Sequence, residues 1–152
     1  MSLLTIFQIS SQGMTAQRER LESAASNLAN AHSTRTAEGG PYRRRDIIFE
    51  TVAIQENESS FDTPLFGPLT GTSPATAQGV RASTRLSAAS ELIKRFDPGH
   101  PDADQDGYVS LPEVDPLEET VNMISAARSF EANATAFSTA KELVRATLKL
   151  GE

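Results

Sequence analysis

Two stretches with a helical period stand at the ends of this chain, and a proline-rich stretch without one lies between them. Near the N-terminus Phe7, Met14, Leu21 and Leu28 recur every seven residues, with Leu4, Ser11, Arg18 and Ala25 three positions before each. Such a repeat draws one stripe along an α-helix. At 1.5 Å per residue, a helix over residues 3–30 is a rod about 40 Å long. Half of its stripe is small or polar, so alone in water it has little to bury. Near the C-terminus Met123, Phe130, Phe137 and Val144 repeat the spacing, with Ala127, Ala134, Lys141 and Leu148 four positions after each. The start of this second helix is well marked. Asp115 suits the N-cap, Pro116 the first helical position and Glu118 the third, as in a capping box. Lys141, Arg145 and Lys149 suit the negative end of the helix dipole, and Gly151 follows as a terminator.

All but one of the eight prolines fall in residues 32–114. Glu38-Gly39-Gly40-Pro41 reads as a turn and Tyr42 to Ile54 as a strand. Residues 57–79 carry 7 Ser/Thr, 3 Gly and 3 Pro, a composition that predicts a mobile loop. Val80 to Leu86, Leu92 to Phe96 and Tyr108 to Leu111 are further short strands, with a short helix over 87–95 as the alternative to the second. The expected fold is α+β. An N-terminal helix (1–31) pairs with a C-terminal helix (115–152) as a coiled coil, and the two enclose a small β-rich middle domain (32–114).

Leu, Ile, Val and Phe make up about 22% of the 152 residues, tryptophan is absent and the formal charge is −6. Chains much leaner than this do not fold alone, so the core is thin or completed by other chains. The absence of cysteine rules out disulfides, thiol chemistry and Cys-ligated metals. No run approaches the 18 apolar residues of a membrane span. The N-terminus lacks the basic and apolar layout of a cleaved signal peptide. Nucleic-acid binding needs clustered cations, and the one cluster, Arg43-Arg44-Arg45, is followed at once by Asp46. Strand alternation turns Arg44 away from the other two, so contact between subunits with acidic neighbours is the better expectation. His32 and His100 lie far apart, and no catalytic triad, zinc-protease or phosphate-loop pattern is present. No enzyme activity and no cofactor are expected.

One chemical motif remains. Asp102, Asp104, Asp106 and Glu113 stand at positions 1, 3, 5 and 12 of an EF-hand calcium loop, with Gly107 at 6 and the Tyr108 carbonyl at 7. A calcium-binding domain is therefore the competing function. Pro98 and Pro101 break an incoming helix, however, and Pro112 sits where the outgoing helix should begin.

The segment Ala25-Ser26-Asn27-Leu28-Ala29-Asn30-Ala31 closely matches the signature at the end of the N-terminal helix in the flagellar rod, hook and hook-associated protein family. Asp97 to Asp104, with Gly107-Tyr108-Val109, resembles a central motif of its rod members. Val121 to Ala126, Arg128 and Ala132-Asn133 resemble their C-terminal helix. Phe130 departs from the tyrosine more usual there, and the long Ser/Thr/Pro-rich stretch before Gly79 is a second departure. The resemblance implies a structural subunit of the bacterial basal-body rod, a helical assembly that crosses the periplasmic space and carries torque for motility. It implies as partners further copies, other proximal and distal rod subunits, the adaptor at the membrane ring and the flagellar type III export apparatus, which passes subunits without a cleaved signal peptide. The assembly residues it points to are Phe7, Met14, Leu21 and Leu28 with Ser26, Asn27 and Asn30 on the first helix. On the second they are Met123, Phe130, Phe137, Val144 and Leu148. The asparagines at the helix end are expected either to satisfy backbone groups or to bridge to an adjacent subunit.

Overall fold

The computed structural model describes residues 3–37, 39–54, 77–87 and 92–150. Helix α1 (Leu3–Ala29) leads to strands β1 (Arg45–Ala53), β2 (Gln78–Leu86), β3 (Leu92–Phe96) and β4 (Tyr108–Pro112), and helix α2 (Pro116–Leu150) closes the order. The architecture is α+β. Among the described residues no helix is long and apolar enough to cross a membrane.

The helix ends follow from local chemistry. At the start of α2 the Asp115 carboxylate accepts the Leu117 N–H at 2.8 Å, and the Glu119 N–H reaches the Asp115 carbonyl at 3.0 Å. The capping box does not close, because Glu118 turns to Arg44 instead, at 3.0 Å. At the end of α1 the Asn30 N–H is shared between the carbonyls of Ser26 and Asn27. The Asn30 amide group also donates to the Ser26 carbonyl at 2.9 Å, so side chain and backbone together satisfy the last turn.

The helices run antiparallel. Phe7 meets Phe137 edge to face with ring centroids 4.8 Å apart, and Arg20 donates to the Asn122 carbonyl oxygen at 2.9 Å. Small residues close the seam between these contacts. A Cβ on Gly13 would sit 2.9 Å from Asn133 Oδ1, and Ala16, Ala24, Ala126 and Ala140 are buried. Phe7, Met14, Leu21 and Leu28 are half-buried. The row expected beside them is not inside, since Leu4, Ser11 and Arg18 are exposed. The reason is that α1 packs on two partners, α2 and the β1–β2 hairpin, and its inward arc is turned toward both. On α2 the inner companion row lies three residues after the large ones, at Ala126 and Ala140, while Lys141 and Leu148 face outward.

The strands form two separate two-stranded antiparallel sheets, β1–β2 and β3–β4. In the first, Arg45 pairs with Leu86 and Ala53 with Gln78; in the second, Leu92 pairs with Pro112 and Phe96 with Tyr108. Strand β1 begins at Arg45 rather than Tyr42 because the Tyr42 ring is buried against α1, its hydroxyl 2.9 Å from the Asn27 Oδ1 it donates to. Residues 92–96 are strand, not helix. Most of the 57–79 stretch lies outside the described residues, and its last two, Gln78 and Gly79, already belong to β2.

The close approach at Gly13 is testable. Gly13→Ala pushes a methyl into the Asn133 carboxamide, which is itself held on the Ser129 carbonyl at 2.9 Å. Urea unfolding should show a loss of about 1–3 kcal/mol. In an Asn133→Ala background the same change should cost little or nothing, a coupling that a double-mutant cycle reads directly.

Candidate assembly site

The signature segment 25–31 ends α1 at the point where the chain running into β1 and the first turn of α2 converge. Asn27 is the hub. Its side chain is 2% exposed. Its Oδ1 accepts from the Tyr42 hydroxyl and from the Arg45 N–H, each at 2.9 Å. Its Nδ2 donates to the Arg45 carbonyl at 3.0 Å, and Glu119 lines the same cavity as Asn27. A carboxamide has two donors and two acceptor sites, and both acceptor sites and one donor are used. By taking both backbone groups of Arg45, Asn27 pairs with the entry to β1 as a neighbouring strand would. Ser23 adds a second donor to the Arg45 carbonyl at 2.7 Å. Because the Tyr42 hydroxyl gives its proton to Asn27, the Ser26 hydroxyl, 3.0 Å away, donates to it.

Beside this hub lies an ionic cluster. Arg44 is within 3.1 Å of Glu119, 3.0 Å of Glu118 and 3.3 Å of Asp46. The Arg44–Glu119 contact is ionic rather than a directed hydrogen bond, since Arg44 Nε and Glu119 Oε1 have no hydrogen-bond partner within the chain. Glu119 is as buried as Asn27. Desolvation pushes its carboxyl above the ordinary value of 4.5, against the pull of Arg44 and of the Asn27 amide. The Arg44 guanidinium is held fully charged by Glu118, Glu119 and Asp46, whose pull outweighs its own desolvation. Arg43 and Arg45 are exposed while Arg44 is not, as strand alternation requires.

The other residues singled out in the sequence fall into two groups. Phe7, Met14, Leu21, Ser26, Leu28 and Asn30 on α1 and Met123, Phe137 and Val144 on α2 are half-buried, whereas Phe130 and Leu148 are exposed. Sequence reasoning missed Tyr42 and Glu119, and it expected the arginine triplet's acidic partners on another subunit, whereas Arg44 finds Asp46, Glu118 and Glu119 within its own chain. A signal for Glu119 was present, because it stands seven residues before Ala126 and fourteen before Asn133, a charge on the row that closes the seam.

The acidic loop does not form a calcium cage. Asp104 Oδ1 accepts the N–H groups of Asp106 and Tyr108 at 3.0 and 2.8 Å. Asp102 accepts from Thr34 Oγ1 at 2.8 Å and lies 3.8 Å from Arg35. Among the described residues no three acidic or histidine side chains converge as metal ligands. Asp104 is spent on holding its own turn, and Asp102 ties that turn to the segment after α1.

A family model described as the C-terminal part of the flagellar basal body rod FlgEFG proteins matches residues 105–150. The flagellar basal-body rod protein FlgC of Borreliella burgdorferi is 38% identical over 154 residues, covering 99% of this chain and 98% of that protein. FlgC of Escherichia coli O6:H1 is 38% identical over the full length of both, and FlgC of Bacillus subtilis is 37% identical over 95% of each. The chain belongs to the FlgC family. It is thus a structural subunit of the flagellar basal-body rod. In this FlgC-family chain the signature at the end of α1 is a buried hydrogen-bonded hub, and its neighbour Glu119 is the first charged group of α2 to be taken out of water.

Two measurements examine the hub. Asn27→Ala removes the acceptor of the Tyr42 hydroxyl proton and strands the Arg45 N–H, leaving the Arg45 carbonyl to Ser23 alone, and should lower unfolding free energy by about 2–4 kcal/mol. Glu119 holds its proton to higher pH in the folded chain than in the unfolded one. Its contribution to stability is therefore full below about pH 4.5 and declines as pH rises through its folded value. Thermal unfolding across that interval should show the decline in the native chain and a flatter profile in Glu119→Gln.

Proposed function

We propose that the chain acts by lending the outer face of its helix pair to neighbouring subunits in the rod, the buried hub holding that face in shape. The observation that carries this reading is an inversion of the usual order. The fully buried positions of α1 and α2 are alanine, serine, threonine, Asn27 and Glu119, and the larger Phe7 and Phe137 meet only half-buried, while Leu117 (73% exposed), Val121, Ile124, Leu143 and Leu148 (69% exposed) are exposed. Exposed apolar surface on this scale marks a surface awaiting a partner. Leu117, Val121 and Ile124 are spaced i, i+4, i+7 and so share one face, opposite the seam. Phe130 and Leu148 are the members of the sequence-derived assembly set that reach neighbours directly. Phe7, Met14, Leu21, Leu28, Met123, Phe137 and Val144 act by holding the two helices together. Ser26, Asn27 and Asn30 act by setting the end of α1.

Residues 1–31, 32–114 and 115–152 serve as first rod helix, lateral domain and second rod helix. The partners are further copies, other proximal and distal rod subunits and the adaptor at the membrane ring, in the periplasmic space. Delivery is through the flagellar type III export apparatus. Marginal terminal helices suit that route, because a chain that gains much of its stability from neighbours is easily kept unfolded before it meets them.

Two classes of substitution separate fold from assembly. Phe137→Asp or Leu21→Asp puts a charge into the seam and should abolish both the monomer's cooperative unfolding and its incorporation into basal bodies. Val121→Asp or Ile124→Asp should leave the circular dichroism spectrum of the monomer unchanged, yet still stop incorporation and motility. Normal motility in the second pair would mean that the outward face of α2 meets nothing.

A further inference from the structure

We propose that the tip of the β3–β4 hairpin is a docking knob for an arginine-bearing segment of a neighbouring protein, which under the reading above is another rod subunit. Phe96 and Tyr108 form the last cross-strand pair of that sheet, with ring centroids 5.4 Å apart and planes at 67°. Both rings are on the surface, Phe96 63% and Tyr108 43% exposed. The sheet's other end is closed by Pro112, which is buried, so the aromatic end is the one left open.

The rings are held in place. The connecting loop closes on itself through Asp97 N–H to the Gly107 carbonyl at 2.9 Å, Asp104 N–H to the Tyr108 carbonyl at 2.9 Å and Gly107 N–H to the Asp104 carbonyl at 3.0 Å. Gly107 adopts φ of 80°, and a Cβ there would lie 3.0 Å from the Phe96 ring. The ring therefore rests on the glycine backbone, a position no other residue could leave open. A surface already ordered in this way loses little freedom on binding.

Charge selects the occupant. The loop at the tip, residues 97–107, carries Asp97, Asp102, Asp104 and Asp106 and neither Lys nor Arg; Asp104 and Asp106 are exposed, and one oxygen of Asp104 is taken by N–H groups of the loop. The cations near the tip are Arg95, 3.7 Å from Asp97, Arg35, 3.8 Å from Asp102, and Lys94, exposed on the same face of β3 as Phe96; both arginines are mostly exposed and neither stacks on Phe96 or Tyr108. His100 faces the loop backbone, its Nδ1 accepting the Asp102 N–H at 3.1 Å. Aromatic faces attract cations, and a planar guanidinium gains both from the ring face and from two-point bonding to a carboxylate. An ammonium gains only the first kind of contact with comparable geometry. An acidic or purely apolar segment would meet repulsion or uncompensated carboxylates. The central motif of the sequence, which the helix pair leaves unused, thereby acquires a role at the flank of the subunit.

The test uses the full-length monomer, so it does not depend on rod assembly. The chain is titrated with a hexa-arginine peptide while the amide signals of Gly107 and Tyr108 are followed by NMR. Those signals should shift, hexalysine should bind several-fold more weakly, and Phe96→Ala should weaken hexa-arginine by about tenfold. Phe96→Leu keeps an apolar side chain on Gly107 and guards against loss of the hairpin; it should erase the preference for arginine over lysine. No shift at the tip, or equal binding of both peptides by the native chain and by Phe96→Leu, overturns the proposal. Failure of the Val121 and Ile124 substitutions to affect motility would instead count against the helix-face reading and leave these titrations as they stand.

Discussion

The rest of the structure depends on how closely α1 and α2 approach. An antiparallel pair that brings the place of a Gly13 side chain to within 2.9 Å of Asn133 has room in its seam for alanine, serine and asparagine, not for rows of leucine. Interior packing is dense enough that each residue must fit the gap it is given. With the fully buried positions held by small residues, Leu117, Val121, Ile124, Leu143 and Leu148 of α2 stay exposed. Under the proposed reading the chain supplies a narrow pair of helices and neighbouring subunits supply the burial.

A pair closed by small residues gains little from apolar transfer, and a polar hub fastens its far end. Asn27 ties the end of α1 to Tyr42 and to the backbone at Arg45, so the helix end and the entry to β1 are joined through one carboxamide. Arg44, just before β1, adds a tie to the first turn of α2 through Glu118 and Glu119. Buried ion pairs contribute less than their short distances suggest, since desolvation offsets the attraction. Their stronger effect is on register. A charge at Glu119 finds a partner only when β1 enters between the two helix ends.

Much of the fold was legible from local chemistry. The N-cap at Asp115, the proline at 116 and the seven-residue spacing of Phe7 and Phe137 depend on neighbours within one or two turns, and a periodic sequence shows them. The strands at Leu92 to Phe96 and Tyr108 to Leu111 were readable for the same reason. The orientation of the stripes was not. Leu4, Ser11 and Arg18 share the heptad stripe of Phe7, Met14 and Leu21 yet are exposed, because a helix with two packing partners buries an arc whose direction depends on where both partners sit. The calcium spacing was a sound match to a pattern, but Asp104 is committed to the N–H groups of its own turn and Asp102 to Thr34. Spacing gives the residue types and leaves their hydrogen-bond partners open.

The candidate site divides along the same line. That segment 25–31 matters, and that Asn27 and Asn30 satisfy something at the end of α1, could be read from the residues. That Asn27 grips both backbone groups of Arg45 could not, because its partners are 15 and 18 residues away and no periodicity links them. By itself the sequence determined two terminal helices, short strands between them, an acidic turn at 97–107 and a family signature, all set by residue type and local spacing. Tertiary structure decided which face of each helix is buried, which charges pair and which aromatic rings stand exposed, because those depend on the packing of segments that meet only in the folded chain.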